Sequence, residues 1–264
     1  MRHSFRLLGG AALPFLLAKA APAQAQAPSR VFVNQQHYWL AVNAEPRFSP
    51  KWGARGELIL RRAEAGRTWQ QVQFRVAPVW NPRSDVQLSV GYLFSRTFPY
   101  GAFPVRRVFN EHRLYEQLVL RTVLGHFAIA HRYRLEHRWS RPALAADPSQ
   151  RMAVFTNRAR YQARTVLPMR RTPVGPYGAV STEVFVGFGR QVGRNIFDQF
   201  RAYGGLGWQA TAAAAVELGY LHQLSQLSNG VNFERNHTLQ LTVNLNPNLA
   251  GLLTPRPVTN DNGD

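Results

Sequence analysis

Charged side chains alternate with apolar ones in the stretch HFAIAHRYRLEHRW, residues 126–139. The charges fall at every second position, at Arg132, Arg134, Glu136 and Arg138. Successive side chains of a β-strand point to opposite faces, so one strand would carry all four charges on one face and its aromatic residues on the other. Such a ladder could fill a narrow interior with ion pairs, or it could line a basic lumen that binds or conducts anions.

Similar alternation places further charges on the same side of other segments. We expect these charges to meet across neighbouring strands as one lumenal ion-pair network, with a structural role that is compatible with anion binding. The residues of this predicted network are Glu111, Arg113, Arg132, Arg134, Glu136, Arg138, Arg158, Arg160, Glu183 and Arg201. The polar side is also rich in glycine, alanine and serine, which leaves room for long neighbouring side chains.

The basic excess of the chain comes almost entirely from arginine. The 264 residues carry a formal net charge of +18, and only Lys19 and Lys51 among the 32 basic residues are lysines. A nucleic-acid-binding protein usually gathers its positive charge in runs or on one patch, whereas these arginines are scattered through strand-like segments. We therefore expect no nucleic-acid partner and predict that the charge is built into a sheet.

The first 25 residues have the pattern of a cleaved signal peptide. A basic start precedes the apolar segment LLGGAALPFLL (7–17), and AAPAQAQA (20–27) offers small residues at the spacing that signal peptidases require. We predict cleavage after Ala25, or after Ala27 at most. The chain has no cysteine, so the exported protein would have neither a lipidated cysteine nor disulfides.

The remaining sequence predicts an all-β fold. About eleven segments alternate in polarity, and turn residues separate them. We predict a single antiparallel up-and-down transmembrane β-barrel of 10–12 strands over residues 31–246, with a disordered or loosely attached tail over 247–264. Single-chain bacterial barrels have even strand numbers, which favours twelve strands, or ten if the segment 35–45 is not a strand.

A soluble β-sandwich that binds a ligand would show the same alternation, so it is the competing fold. Complementary charges on the polar faces and small residues beside them favour a confined lumen instead. Tyr92, Tyr133, Trp139 and Trp208 would then point outward and suit the aromatic girdles of a membrane barrel. This interpretation predicts a protein of a Gram-negative outer membrane, with membrane lipid and the barrel-assembly machinery as its partners.

Seven short motifs occur in a fixed order along the chain. They are NEHR (110–113), RYRLEHR (132–138), RAR (158–160), TEVF (182–185), FRAYGGLGW (200–208), ELGYLHQ (217–223) and NHTLQL (236–241). Together they resemble one family of bacterial outer-membrane proteins, the domain-of-unknown-function 2490 family. The resemblance covers about residues 35–246, with departures at Thr182 and Phe200 (asparagine expected) and at Trp208 (tyrosine expected). It implies an outer-membrane β-barrel and no established activity.

No sequence motif points to a catalytic site, a metal site or a cofactor. A lipid hydrolase would need a serine within reach of a histidine, and the pair His222 and Ser225 is three residues apart, which places the two on opposite faces of a strand. Three functions are therefore open: a barrel with a structural or small-solute role, which could bind or pass anions, an outer-membrane lipid-modifying hydrolase, or a secreted ligand-binding sandwich. The small-molecule ligand itself is not identified by the sequence.

Overall fold

A computed structural model describes residues 29–124, 127–142, 153–170, 172 and 174–250, and in this part of the chain one sheet of eleven strands closes into a barrel. The predicted signal peptide and residues 251–264 of the predicted tail lie outside the described residues. The strands are β1 (Val31–Ala44), β2 (Trp52–Ala63), β3 (Thr68–Arg83), β4 (Val86–Thr97), β5 (Phe109–Leu124), β6 (Phe127–Ser140), β7 (Val154–Pro168), β8 (Gly175–Phe188), β9 (Phe197–Thr211), β10 (Ala214–Gln226) and β11 (Asn232–Leu245).

Each strand pairs antiparallel with the next one in sequence, which confirms the predicted up-and-down barrel. The barrel is closed by a parallel pairing of β1 with β11, from Val31 opposite Asn232 to Ala44 opposite Leu245. The preference for twelve strands was wrong. With an odd number, the first and last strands run in the same direction, so they can close the barrel only as a parallel pair.

The closed sheet also decides two alternatives left open by the sequence, the ten-strand count and the β-sandwich. Residues 35–44 belong to β1, which is hydrogen-bonded on both of its edges, so that segment is a strand. A β-sandwich has two separate sheets, whereas all eleven strands here belong to one closed sheet. The sandwich is therefore wrong.

The longest connections of the barrel lie at one end. This end, the loop end, holds the start of β1 and the connections 98–108, 141–153 and 189–196. The other end, the turn end, has two-residue connections at 84–85 and 212–213 and connections of seven and six residues at 45–51 and 169–174. Because the strand number is odd, β1 starts at the loop end and β11 finishes at the turn end.

The outer wall is mainly apolar and the inner wall is mainly polar. Large apolar side chains such as Val90, Leu206 and Leu218 are 60%, 65% and 51% exposed on the outside, and Trp139 and Trp208 are on the outside as well. The inner wall holds buried glutamine, serine, threonine, arginine and glutamate side chains. Among the described residues there is no helix with the length and hydrophobicity needed to cross a membrane.

Several glycines of the inner wall make room for tyrosine rings. A Cβ atom added to Gly91 would lie 2.6 Å from the Cζ atom of Tyr115, and one added to Gly219 would collide with the ring of Tyr203. Tyr115 and Tyr203 are both buried inside the barrel. A ring that occupies the space beside a glycine of a neighbouring strand covers the glycine backbone and fills the lumen, which gives these glycines a specific packing role.

Candidate functional site

The structure places all ten residues of the sequence-predicted network on one stretch of the inner wall. This stretch, the charged wall, consists of the inward side chains of the five neighbouring strands β5 to β9. Strand alternation puts the charges inside, and the antiparallel registers then bring them level with one another. The ten residues lie on β5 (Glu111, Arg113), β6 (Arg132, Arg134, Glu136, Arg138), β7 (Arg158, Arg160), β8 (Glu183) and β9 (Arg201).

Glu136 is the central carboxylate of the charged wall, and it is 1% exposed. Its Oε2 atom accepts hydrogen bonds from Nη2 and Nε of Arg158 at 2.5 and 2.9 Å, and its Oε1 atom accepts one from Nη1 of Arg160 at 2.6 Å. Nη1 of Arg158 also donates to Oδ2 of Asp198 at 2.5 Å. Buried charges of this kind are tolerated only when they are paired and hydrogen-bonded, as these are.

A second carboxylate, Glu183, joins three arginines. Its Oε1 atom accepts hydrogen bonds from Nε and Nη2 of Arg160 at 3.0 and 2.7 Å and from Nη2 of Arg132 at 2.8 Å. Arg201 is more distant, with its Nη1 atom 3.8 Å from Oε2 of Glu183. The guanidinium of Arg201 lies 4.6 Å from the ring centroid of Phe185, which also contacts the guanidinium of Arg160 at 4.3 Å.

The remaining members of the charged wall are paired to different degrees. Glu111 accepts hydrogen bonds from Arg113 and, at 2.9 and 3.1 Å, from Nε and Nη2 of Arg138. Arg134 is bound by a neutral group instead, the Oε1 atom of Gln117. The carboxylate nearest to Arg134 is 3.9 Å away, so this arginine is weakly neutralised.

Asp198, which contacts Arg158, was missed in the sequence. It follows the connection 189–196 at the irregular start of β9, where a register shift opposite Phe185 and Val186 turns its side chain inward. Because the next residue, Gln199, faces the lumen, alternation alone would have placed Asp198 on the outer wall. Two further ion pairs were missed. Arg75 and Glu57 face each other on the neighbouring strands β3 and β2, outside the charged wall. Arg164 and Glu217 join β7 and β10, which are not neighbours in the sheet.

An arginine outside the charged wall lacks a carboxylate partner. Arg61 on β2 donates hydrogen bonds to Oε1 of Gln71 at 2.8 Å and of Gln73 at 3.3 Å, and it forms no ion pair with any described carboxylate. Its guanidinium lies 4.0 Å from the ring centroid of Trp39, and the guanidinium of Arg201 lies 5.3 Å from the same ring. No spacing in the sequence indicates this pair of arginines, since β2 and β9 face each other only across the lumen.

Between the charged wall and the side of the barrel that holds Arg61, the lumen contains a chamber of about 460 Å³. Eight strands make a barrel that side chains can fill, so eleven strands leave additional space. Ten arginines and five carboxylates line the chamber. Glu136 and Glu217 lie behind this lining and bind three of the arginines, so the arginines still outnumber all of these carboxylates by three. The chamber is therefore a positively charged space.

The mouth of the chamber is at the loop end, where Leu227 and Ser228 contribute to its lining. Tyr100, from the connection 98–108, reaches in, and its hydroxyl donates a hydrogen bond to Oε2 of Glu234 at 3.2 Å. Burial, with the nearby charge of Glu234, raises the pKa of Tyr100, so the phenol stays neutral. Outside the mouth, Oε1 of Glu64 accepts a hydrogen bond from the backbone N–H of Gly101 at 3.1 Å, which ties this connection to the end of β2.

The serine and histidine considered for a hydrolase lie on opposite faces of β10. Ser225 is buried inside the barrel, where its Oγ atom accepts a hydrogen bond from Nε2 of Gln223 at 2.9 Å. His222 is on the outer wall, where its ring contacts that of His237. Within the described part of the chain, no three histidine, aspartate or glutamate side chains are grouped so that they could hold a metal ion.

The comparison with protein families gives a match over most of the barrel. Residues 36–234 match the model of the family described as "Protein of unknown function (DUF2490)". The chain belongs to the DUF2490 family. This confirms the resemblance seen in the seven motifs, and the matched DUF2490 region runs from β1 to the first residues of β11. No curated protein and no solved structure matches the chain.

Proposed function

We propose that this DUF2490 protein is an outer-membrane β-barrel whose lumenal chamber binds small anionic solutes. The single observation that carries the anion assignment is the incomplete neutralisation of the chamber arginines. Arg61 has no ion-pair partner among the described residues, and the nearest carboxylates to Arg134 and Arg201 are 3.9 and 3.8 Å away. A carboxylate or phosphate group would supply the missing negative charge and accept hydrogen bonds from the free N–H groups of these arginines.

The outer wall supports the membrane part of the proposal. In lipid, backbone N–H and C=O groups must be satisfied within the protein, which a closed barrel achieves because it has no free edge. The exposed residues on the outside are chiefly leucine, valine and aromatic side chains. An apolar surface of this extent is unusual for a protein surrounded by water.

Aromatic residues at both ends of the apolar wall also suit a membrane. At the turn end, Trp52 and Trp80 stack on neighbouring strands with ring centroids 6.2 Å apart. At the loop end, Trp139 and Phe155 contact each other at 5.1 Å. Tryptophan is enriched where the hydrocarbon region meets the headgroups, so these two levels would mark the limits of the membrane region.

Histidines on the outer wall have partners on neighbouring strands. The Nδ1 atoms of His112, His131 and His237 lie 2.6, 2.8 and 2.6 Å from tyrosine hydroxyls. Pairing of this kind is what a polar group on a lipid-facing surface requires, because the hydrocarbon offers no hydrogen-bond partner.

Membrane fractionation, followed by gel migration with and without boiling, tests the membrane part. We expect the protein in the outer-membrane fraction, after export and passage through the barrel-assembly machinery, and we expect a band that shifts on heating. A periplasmic protein without a heat shift would overturn the proposal.

A further inference from the structure

Three arginines lie side by side on the outer wall of the barrel, at its loop end. Arg62, Arg96 and Arg235 are on β2, β4 and β11, and we call them the arginine collar. With β1 and β3 between them, their strands are five consecutive members of the closed sheet. The collar is thus a surface feature, separate from the lumenal chamber.

Each collar arginine lies over an aromatic ring. The guanidinium of Arg62 is 4.4 Å from the ring centroid of Trp69, and that of Arg235 is 4.3 Å from the ring of Phe32. Arg96 lies 5.7 Å from the ring of Phe98. Stacking holds a guanidinium in place and leaves its N–H groups at the edge free to bind an anion.

The outer wall directly below the collar is apolar on two of its three strands, and on β11 His237, which is hydrogen-bonded to the Tyr220 hydroxyl, lies between Arg235 and Leu239. Towards the turn end, the next outward residues after Arg62 on β2 are Leu60 and Leu58, and the next after Arg96 on β4 is Phe94. An arginine directly above a hydrocarbon-facing surface is at the height of the lipid headgroups, where its stem can stay in the apolar region.

The described residues supply no counter-charge to the collar. None of the three arginines forms an ion pair with a described carboxylate, although Arg62 donates to the backbone carbonyls of Gly66 and Arg67 at 3.1 and 3.0 Å. The loop end outside the lumen has one exposed described carboxylate, Glu64, against ten described arginines. These arginines are Arg30, Arg62, Arg67, Arg96, Arg106, Arg107, Arg141, Arg190, Arg194 and Arg235.

From this geometry we propose that the arginine collar binds the phosphate groups of anionic lipid headgroups. Guanidinium groups bind phosphate through two parallel N–H···O bonds, and cations near a membrane surface attract anionic lipid. The inference rests on the proposed membrane insertion, but it is independent of anion binding in the lumen. It assigns the occupant as lipid rather than free phosphate, because the apolar wall directly below the collar would contact the acyl chains.

The experiment uses the full-length mature protein inserted in phosphatidylcholine vesicles that contain trace amounts of spin-labelled phosphatidylglycerol or spin-labelled phosphatidylcholine. Electron spin resonance reports the share of each label held at the protein surface. The test variant is Arg62→Gln/Arg96→Gln/Arg235→Gln. The control, Arg47→Gln/Arg121→Gln/Arg170→Gln, removes the same charge from exposed positions at the turn end.

We expect the wild type and the control to hold the phosphatidylglycerol label about fivefold more strongly than the phosphatidylcholine label, with the preference lost in the collar variant and reduced by salt. An unchanged preference in the collar variant, or an equal loss in both variants, would overturn the collar as the lipid site. Equal binding of both labels by the inserted wild type would overturn it too. A protein that fails to insert at all would instead overturn the proposed membrane location, and the collar inference with it.

Discussion

Arg61 and Arg201 lie over the same indole ring, that of Trp39, at 4.0 and 5.3 Å from its centroid. One comes from β2 and the other from β9, so the two cations meet across the lumen. Neither has a close carboxylate: Arg61 has none within the described chain, and Arg201 has Glu183 at 3.8 Å. Like charges that approach each other in a low-dielectric interior repel, and a bound anion would relieve that repulsion.

Arg158 and Arg160 of the charged wall differ from Arg61 and Arg201, since most of their N–H groups are already bound by carboxylates. Arg158 and Arg160 bind Glu136, Asp198 and Glu183 at 2.5 to 3.0 Å. Replacing Arg158 and Arg160 by glutamate would therefore disrupt the charged wall, so a change in anion binding could not be assigned to a lost ligand contact. Arg61 and Arg201 are the more informative positions for anion binding.

Glu136→Gln should destabilise the barrel by about 3–5 kcal/mol, because it leaves Arg158 and Arg160 buried without their shared carboxylate. Urea unfolding of the detergent-folded protein measures this change in the free energy of unfolding. Asp85→Asn is the control, since the pair of Asp85 with Arg83 is exposed to solvent and should contribute little to stability. Similar losses in the two variants would show that the charged wall does not stabilise the fold.

Gly219→Ala should destabilise the barrel by about 1–3 kcal/mol, because the new methyl group would collide with the Tyr203 ring. Gly204→Ala is a matched control in the neighbouring strand, where nothing lies within 4 Å of an added Cβ atom. The same urea titration compares the two. A Gly219 variant as stable as the Gly204 variant would mean that the tyrosine ring does not occupy the space above this glycine.

Glu64→Gln should loosen the connection 98–108, which Glu64 holds through Gly101. The pKa of Glu64 is lowered, first by a hydrogen bond from the Thr68 hydroxyl and then by the one from the Gly101 N–H. A carboxyl group with a lowered pKa stabilises the folded state above its usual pKa and loses that effect as the pH falls through the lowered value. The same tie should therefore weaken in acid.

Trypsin provides the readout at neutral pH, because Arg106 and Arg107 lie in that connection and are exposed. Cleavage there should be faster in Glu64→Gln than in the wild type, and Asp85→Asn at the turn end should leave its rate unchanged. Equal rates in all three proteins would contradict a role for Glu64 in holding this connection.

Strand alternation predicted the all-β fold and the inward direction of the ten network charges, and the complementary charges with small residues beside them then favoured a barrel over a sandwich. In residues 126–139 it separated the outward Tyr133 and Trp139 from the inward Arg134 and Glu136. The rule uses only local geometry, in which neighbouring side chains point to opposite faces. The rule was adequate because each strand has one face towards the lumen and one towards the outside along its length.

The features that the sequence did not predict depend on contacts between distant strands. The parallel closure of β1 on β11 follows from the odd number of strands. Whether that number is odd or even is a property of the whole chain, which no local pattern reveals. Asp198 turned inward because of a register shift. Trp39, Arg61 and Arg201 meet only after the barrel closes, so no spacing in the sequence could have grouped them.

Titration of the folded barrel with inorganic phosphate, followed by tryptophan fluorescence, tests anion binding in the chamber most directly. We expect a saturable change that is absent in Arg61→Gln/Arg201→Gln and in Trp39→Phe, and that persists in Arg121→Gln/Arg170→Gln, which loses the same charge at exposed positions. No saturable change in the wild type, or the same change in the Arg61 and Arg201 variant, would contradict an anion site beside Trp39.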